Sequence, residues 1–160
     1  MAQKGKKPTS KYDDRGDDRS PRSSFAKGNE KRPRGTAPDY GGELPLWAFR
    51  IVDLDGPWCW SRMDGGVLRD VLERLKNLET MSWHDIESRT GSHFIETGDK
   101  GFCKQARDRL AEIRQDDADA LFSLRVTGRR RIWGIRDGGI LRILWWDPEH
   151  EVYPSHLKGT

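Results

Sequence analysis

Residues 121–154, LFSLRVTGRRRIWGIRDGGILRILWWDPEHEVYP, decide the fold. Over 121–127, Phe122, Leu124 and Val126 alternate with Ser123, Arg125 and Thr127, the period of a half-buried strand. Gly128 permits a turn. Residues 132–136 and 140–146 read as two further strands joined by Asp137-Gly138-Gly139, because Asp-Gly is a strong hairpin signal and glycine accepts positive φ without steric cost. Consecutive strands with short turns predict an antiparallel meander.

The same stretch concentrates positive charge. Arg125, Arg129, Arg130, Arg131, Arg136 and Arg142 stand against one acid, Asp137, before Trp146. Arginine suits phosphate because its planar fork of donors grips two oxygens and keeps its charge near neutral pH. Arg125 shares its face with Ser123 and Thr127 and is expected to point outward. Arg131 and Arg136 fall on opposite faces of the second strand, and Arg131 is the expected companion of Arg125. Arg129, Arg130, Arg136 and Arg142 are candidates for further nucleic-acid contacts, and each reads equally as the solvated face of an amphipathic strand.

Beyond Asp147-Pro148, which ends the pairing, His150 and Tyr153 follow three residues apart. A histidine exchanges a proton near neutral pH, and a tyrosine donates, accepts or stacks. With arginines stabilising charge on phosphorus, they suit metal-free RNA cleavage by attack of the neighbouring 2′-hydroxyl. His150 between Glu149 and Glu151 reads equally as a surface histidine held by a carboxylate, and Tyr153 before Pro154 as a packing residue. Trp145 and Trp146 point to opposite sides of their strand, one into the core and the other into the core or out as a stacking platform.

The 160 residues suffice for one core. Residues 1–40 carry eleven Lys or Arg against six Asp or Glu and almost no large apolar side chains, so they read as a disordered basic tail with weak, salt-sensitive attraction for nucleic acid. The folded domain is expected over 44–160. Cys59 and Cys103 show no disulfide or zinc spacing, and His84, His93 and His156 suggest no metal site, so no metal and no cofactor is implied. No run approaches a bilayer span, which makes a cytoplasmic setting, away from membranes, the expectation.

Upstream, LWAFRIVDL over 46–54 predicts a strand, Asp55-Gly56-Pro57 a turn, and 58–60 a short return strand. Asp64 caps a helix with Val67, Leu68, Val71, Leu72, Leu75 and Leu78 at helical steps. Ser82 and Asp85 resemble a capping box for a second helix through Arg89, closed by Gly91. After a polar loop, Phe102, Ala106, Leu110 and Ile113 mark a third. The expected class is α+β: an antiparallel sheet, formed by an N-terminal strand or hairpin and the C-terminal three-strand meander, with two or three helices on one face.

The order of elements, with LFSLRV, RRRIWGI, ILRILWWD and the terminal WWDPEHEVY, resembles the RelE/ParE-like toxins of bacterial type II toxin-antitoxin modules over roughly residues 44–153. That group is also met in phages and mobile elements. The resemblance implies a toxin neutralised by a cognate antitoxin protein, with mRNA as substrate, cut free or on the ribosome, in RelE-type members and DNA gyrase as target in ParE-type members. By position it implies catalytic roles for Arg125, Arg131, His150 and Tyr153. The competing expectation is a non-enzymatic module that binds nucleic acid or protein through the same sheet.

Overall fold

A computed structural model describes residues 38–154. Residues 1–37 of the basic tail, and His156, lie outside the described residues. The meander is present as β3 (Ala120–Thr127), β4 (Arg130–Asp137) and β5 (Ile140–Asp147), each antiparallel to the next. Both turns use the predicted glycines, with Gly128 at φ 46° and Gly138 at φ 62°. Two further strands extend the sheet at its edges. β1 (Leu46–Ala48) pairs with β5, and β2 (His93–Glu96) pairs with β3, giving the order β1-β5-β4-β3-β2.

Four expectations are corrected here. The sheet is mixed, because β1 runs parallel to β5. The long N-terminal strand is three residues, and the expected return strand over 58–60 is absent, with a 3-10 turn at Trp60–Arg62 instead. Chain 49–59 still covers the β5 edge through Asp53 N to Leu144 O at 2.9 Å and Trp146 N to Trp58 O at 2.9 Å. The polar loop before the third helix contains β2.

The helices also cover both faces, where one was expected. α1 (Gly65–Leu78) begins at Asp64, whose carboxylate accepts from Val67 N at 2.8 Å. α2 (Trp83–Thr90) begins with the reciprocal Ser82–Asp85 cap and ends at Gly91 with φ 74°. Val71, Leu75, Leu78, Trp83 and Ile86 from these two helices pack on Phe122, Leu124, Val126, Ile132, Ile143 and Trp146. α3 (Lys104–Glu112) lies on the opposite side, where Ala106 and Leu110 pack with Ile95, Leu121, Trp133, Leu144 and Trp145. A strand buried on both faces reads as a nearly continuous apolar run. ILRILWWD has that character, and a bulge opposite Trp133/Gly134 brings Leu144 and Trp145 into one cluster. Trp145 and Trp146 are both buried, so neither is a stacking platform.

Candidate functional site

The α3 face of the sheet is divided along its length. Its covered half carries Ile95, Leu121, Trp133 and Trp145. Its other half carries a row set by the register itself: Arg125 lies opposite Arg131 across β3–β4, and Arg131 lies opposite Asp147 across β4–β5. One step back, His93 of β2 lies opposite Ser123. Because Ile95 is on the α3 side, the period of two puts His93 on that side as well.

The two arginines are held differently. Arg131 is half-buried and donates to the carbonyls of Gly128 at 2.7 Å and Arg130 at 3.1 Å. Burial, and then the nearby Arg125 charge, lower its pKa, with Asp147 opposing. Arg125 is exposed, and its backbone N–H donates to Ser92 Oγ at 2.9 Å. Ser92 is buried and bonded to Thr90 Oγ at 2.6 Å, which ties the end of α2 to β3. Among the described residues, no carboxylate lies within salt-bridge distance of Arg125 or Arg131. Two like charges side by side, offset only in part by Asp147, leave donors for an anion, which relieves the share of the Arg131 lowering that comes from Arg125.

His150 follows the row at φ 61°. Burial and then Arg131 lower its pKa, with smaller lowering from His93 and Arg125 and opposition from Asp147. His150 is therefore within electrostatic reach of both arginines and of His93. His93 Nδ1 lies 3.0 Å from the Gly91 carbonyl. A carbonyl only accepts, so Nδ1 carries the hydrogen and Nε2 is the nitrogen left for chemistry.

Not every candidate joins this group. The Tyr153 hydroxyl donates to Asp99 Oδ1 at 3.2 Å and its ring packs on Gly101, at the approach to α3. Arg129 pairs with Glu149 at 3.5 Å beside the group, and Arg130 pairs with Asp70 of α1 at 3.7 Å. Arg136 lies on the α1/α2 side, with its guanidinium 4.2 Å from the Trp83 ring centroid and bonded to Glu87. Arg142 sits near the β1 end of β5, and its Nε is buried without a hydrogen-bond partner. Of the candidates, Arg125 and Arg131 face each other across β3–β4, His150 lies within electrostatic reach of both, and Arg129 pairs with Glu149 one residue before it.

His93 was not singled out from the sequence for chemistry. Its signal was the alternation His93, Phe94, Ile95 after a helix-ending glycine, too short to stand out inside a polar loop. The acids of the terminal segment are largely used internally. Asp147 is buried and accepts from Trp133 Nε1 at 3.1 Å and from the amides of Glu151 at 2.9 Å and Val152 at 3.0 Å, which sets the path of the chain through His150.

No family model matches this chain, and neither a curated protein nor a solved structure matches it.

Proposed function

We propose that the chain binds single-stranded RNA at the Arg125–Arg131 row and cleaves it without a metal ion, as the toxin of a toxin-antitoxin pair. The observation that carries this is the pair of arginines without a salt-bridged carboxylate among the described residues, opposite each other across β3–β4 on the sheet face that also bears His93, with His150 in electrostatic reach of them. The guanidiniums seat the phosphodiester and stabilise the charge that grows on its oxygens. His150 is held toward its neutral form and accepts the proton of the 2′-hydroxyl, whose oxygen then attacks phosphorus. The bond to the 5′ oxygen breaks, and that oxygen takes a proton from Nε2 of protonated His93. The products are a 2′,3′-cyclic phosphate and a 5′-hydroxyl. Tyr153 has no step in this scheme. The toxin role and an antitoxin partner rest on the resemblance of the terminal meander.

The test is incubation of the full chain with a single-stranded RNA and the DNA of the same sequence, in EDTA. Cleavage of the RNA alone, with cyclic phosphate ends, is expected, and His150→Gln or His93→Gln each lowers the rate by roughly 10²- to 10⁴-fold. Salt-sensitive binding with no product, equal in wild type and variants, makes the protein a binding module instead. Growth arrest with intact transcripts and damaged DNA moves the target to gyrase.

A further inference from the structure

A second cleft, of about 370 Å³, lies around the other side of edge strand β2, lined by Tyr40, His84, Glu87, Phe94 and Arg136 among others. Its floor is Arg136, whose side chain is 8% exposed. The guanidinium lies over Trp83, with its carbon 5.6 Å from the ring centroids of both Phe94 and Phe122. Nε donates to the Gly138 carbonyl at 3.0 Å, and a terminal nitrogen donates to Glu87. The arginine is thus fixed in plane and carries an anchored carboxylate beside it. Tyr40 and Phe94, 39% and 47% exposed, leave ring surface open. The Tyr40 ring packs on the Gly138 turn, where an added Cβ would come within 3.3 Å of it.

The charges narrow the ligand. A small anion would meet Glu87 and Asp39, a lysine or arginine side chain would meet Arg136, and an aliphatic group would desolvate the ion pair without replacing its hydrogen bonds. A flat, neutral ring with donors and acceptors along its edge meets none of these costs and stacks on aromatic surface. The volume falls in the range of small-ligand sites. Among bases, guanine presents two adjacent N–H donors that one carboxylate accepts together, whereas adenine sets a ring acceptor beside its amino group. Glu87 keeps lone pairs for them after accepting from Arg136.

We propose that this cleft binds a guanine base. Resting on the RNA reading above, it is the base-specific subsite of the same strand, because His93 and Phe94 are consecutive residues of β2 that face the two sites from opposite sides of the sheet edge.

Nucleosides test the cleft apart from the phosphate seat. Guanosine, adenosine and cytidine are titrated into the full chain while the Trp83 and Phe94 ring resonances are followed by NMR. Guanosine is expected to shift these resonances and to bind at least about fivefold more tightly than adenosine; Glu87→Gln is expected to weaken it by roughly tenfold or more. Phe94→Leu, which keeps an apolar side chain at an exposed position, is expected to weaken it by about fivefold or more. Arg125→Ala/Arg131→Ala leaves guanosine binding unchanged. The proposal is overturned if guanosine shifts nothing in the cleft, if the three nucleosides act alike, or if the double arginine variant abolishes binding. RNA cleavage without guanosine binding removes the subsite and keeps the phosphodiester reading. Guanosine binding without RNA cleavage keeps the cleft and removes that reading.

Discussion

The two halves of the α3 face use arginine in opposite ways. Under α3, Arg109 gives its Nε to Asp53 Oδ2 at 2.8 Å and a terminal nitrogen to Oδ1 at 2.7 Å, and another reaches Glu112 at 2.8 Å. Asp53 also accepts from the amides of Asp55 and Gly56 and from Trp145 Nε1 at 3.1 Å. Burial alone would raise its pKa. Arg109 foremost, then the two amides and the indole, bring it down to about 2. Here charge is consumed in joining the chain before the 3-10 turn to α3 and β5. At the open end, Arg125 and Arg131 are left without such partners. Arg109 is paired with two carboxylates and Arg125 and Arg131 with none among the described residues, so substitutions at the two ends should separate stability from the proposed RNA binding.

The largest effect is expected at the closed end. Arg109→Ala leaves Asp53 buried without its cation and should cost about 3–5 kcal/mol in urea unfolding. In the wild type the lowered Asp53 pKa contributes stability that is present above its ordinary value of 3.8. About 2 kcal/mol of it is lost as pH falls from there toward 2, so Asp53→Asn should flatten the acid limb of the stability curve.

Next in size, Trp133→Phe removes the donor to Asp147 Oδ2 while keeping an aromatic core residue, and should cost roughly 1–3 kcal/mol. It also loosens the turn that carries His150, so RNA cleavage should fall further than the stability change accounts for. Equal losses in both would detach the open end from the closed one.

At the open end, Arg125→Ala/Arg131→Ala should change unfolding free energy by less than about 1 kcal/mol. The same pair should lower the slope of log binding constant against log salt for single-stranded RNA by about 1.4. A large stability loss here would put these arginines with Arg109.

The smallest effect concerns pH. His150 has a lowered pKa in the folded protein, so the unfolded chain binds the extra proton first as pH drops below about 6.5, and stability falls with it. His150→Gln should make stability less dependent on pH between about 5 and 7, read by urea unfolding at both ends of that window.

The meander was legible because each of its signals is local. Alternation over 121–127 and glycines at the two turns need no distant partner. Asp64 and Ser82 capped the helices for the same reason. α1 showed the limit of periodicity: Leu68 and Leu72 keep helical spacing with Val71 and Leu75 yet are 39% and 51% exposed, because spacing names a stripe and only packing sets its width. β2 escaped notice because four residues with one buried side chain carry too little pattern, and its strand character comes from pairing with β3.

The candidate site divides in the same way. Parity along the second strand showed only that Arg131 and Arg136 lie on opposite faces, with Arg131 the favoured companion of Arg125, and the register sets Arg125 and Arg131 directly opposite each other. His93 entered only through β2, Arg136 was taken up by Trp83 and Glu87, and Tyr153 went to Asp99. The sequence by itself determined the three meander strands, the helix caps and the alternation of basic residues within each meander strand, since these follow from backbone geometry over a few residues. Only the tertiary structure decided which arginines meet carboxylates and which histidines meet arginines. Those partners lie tens of residues apart, and nothing short of packing both faces of the sheet brings them together.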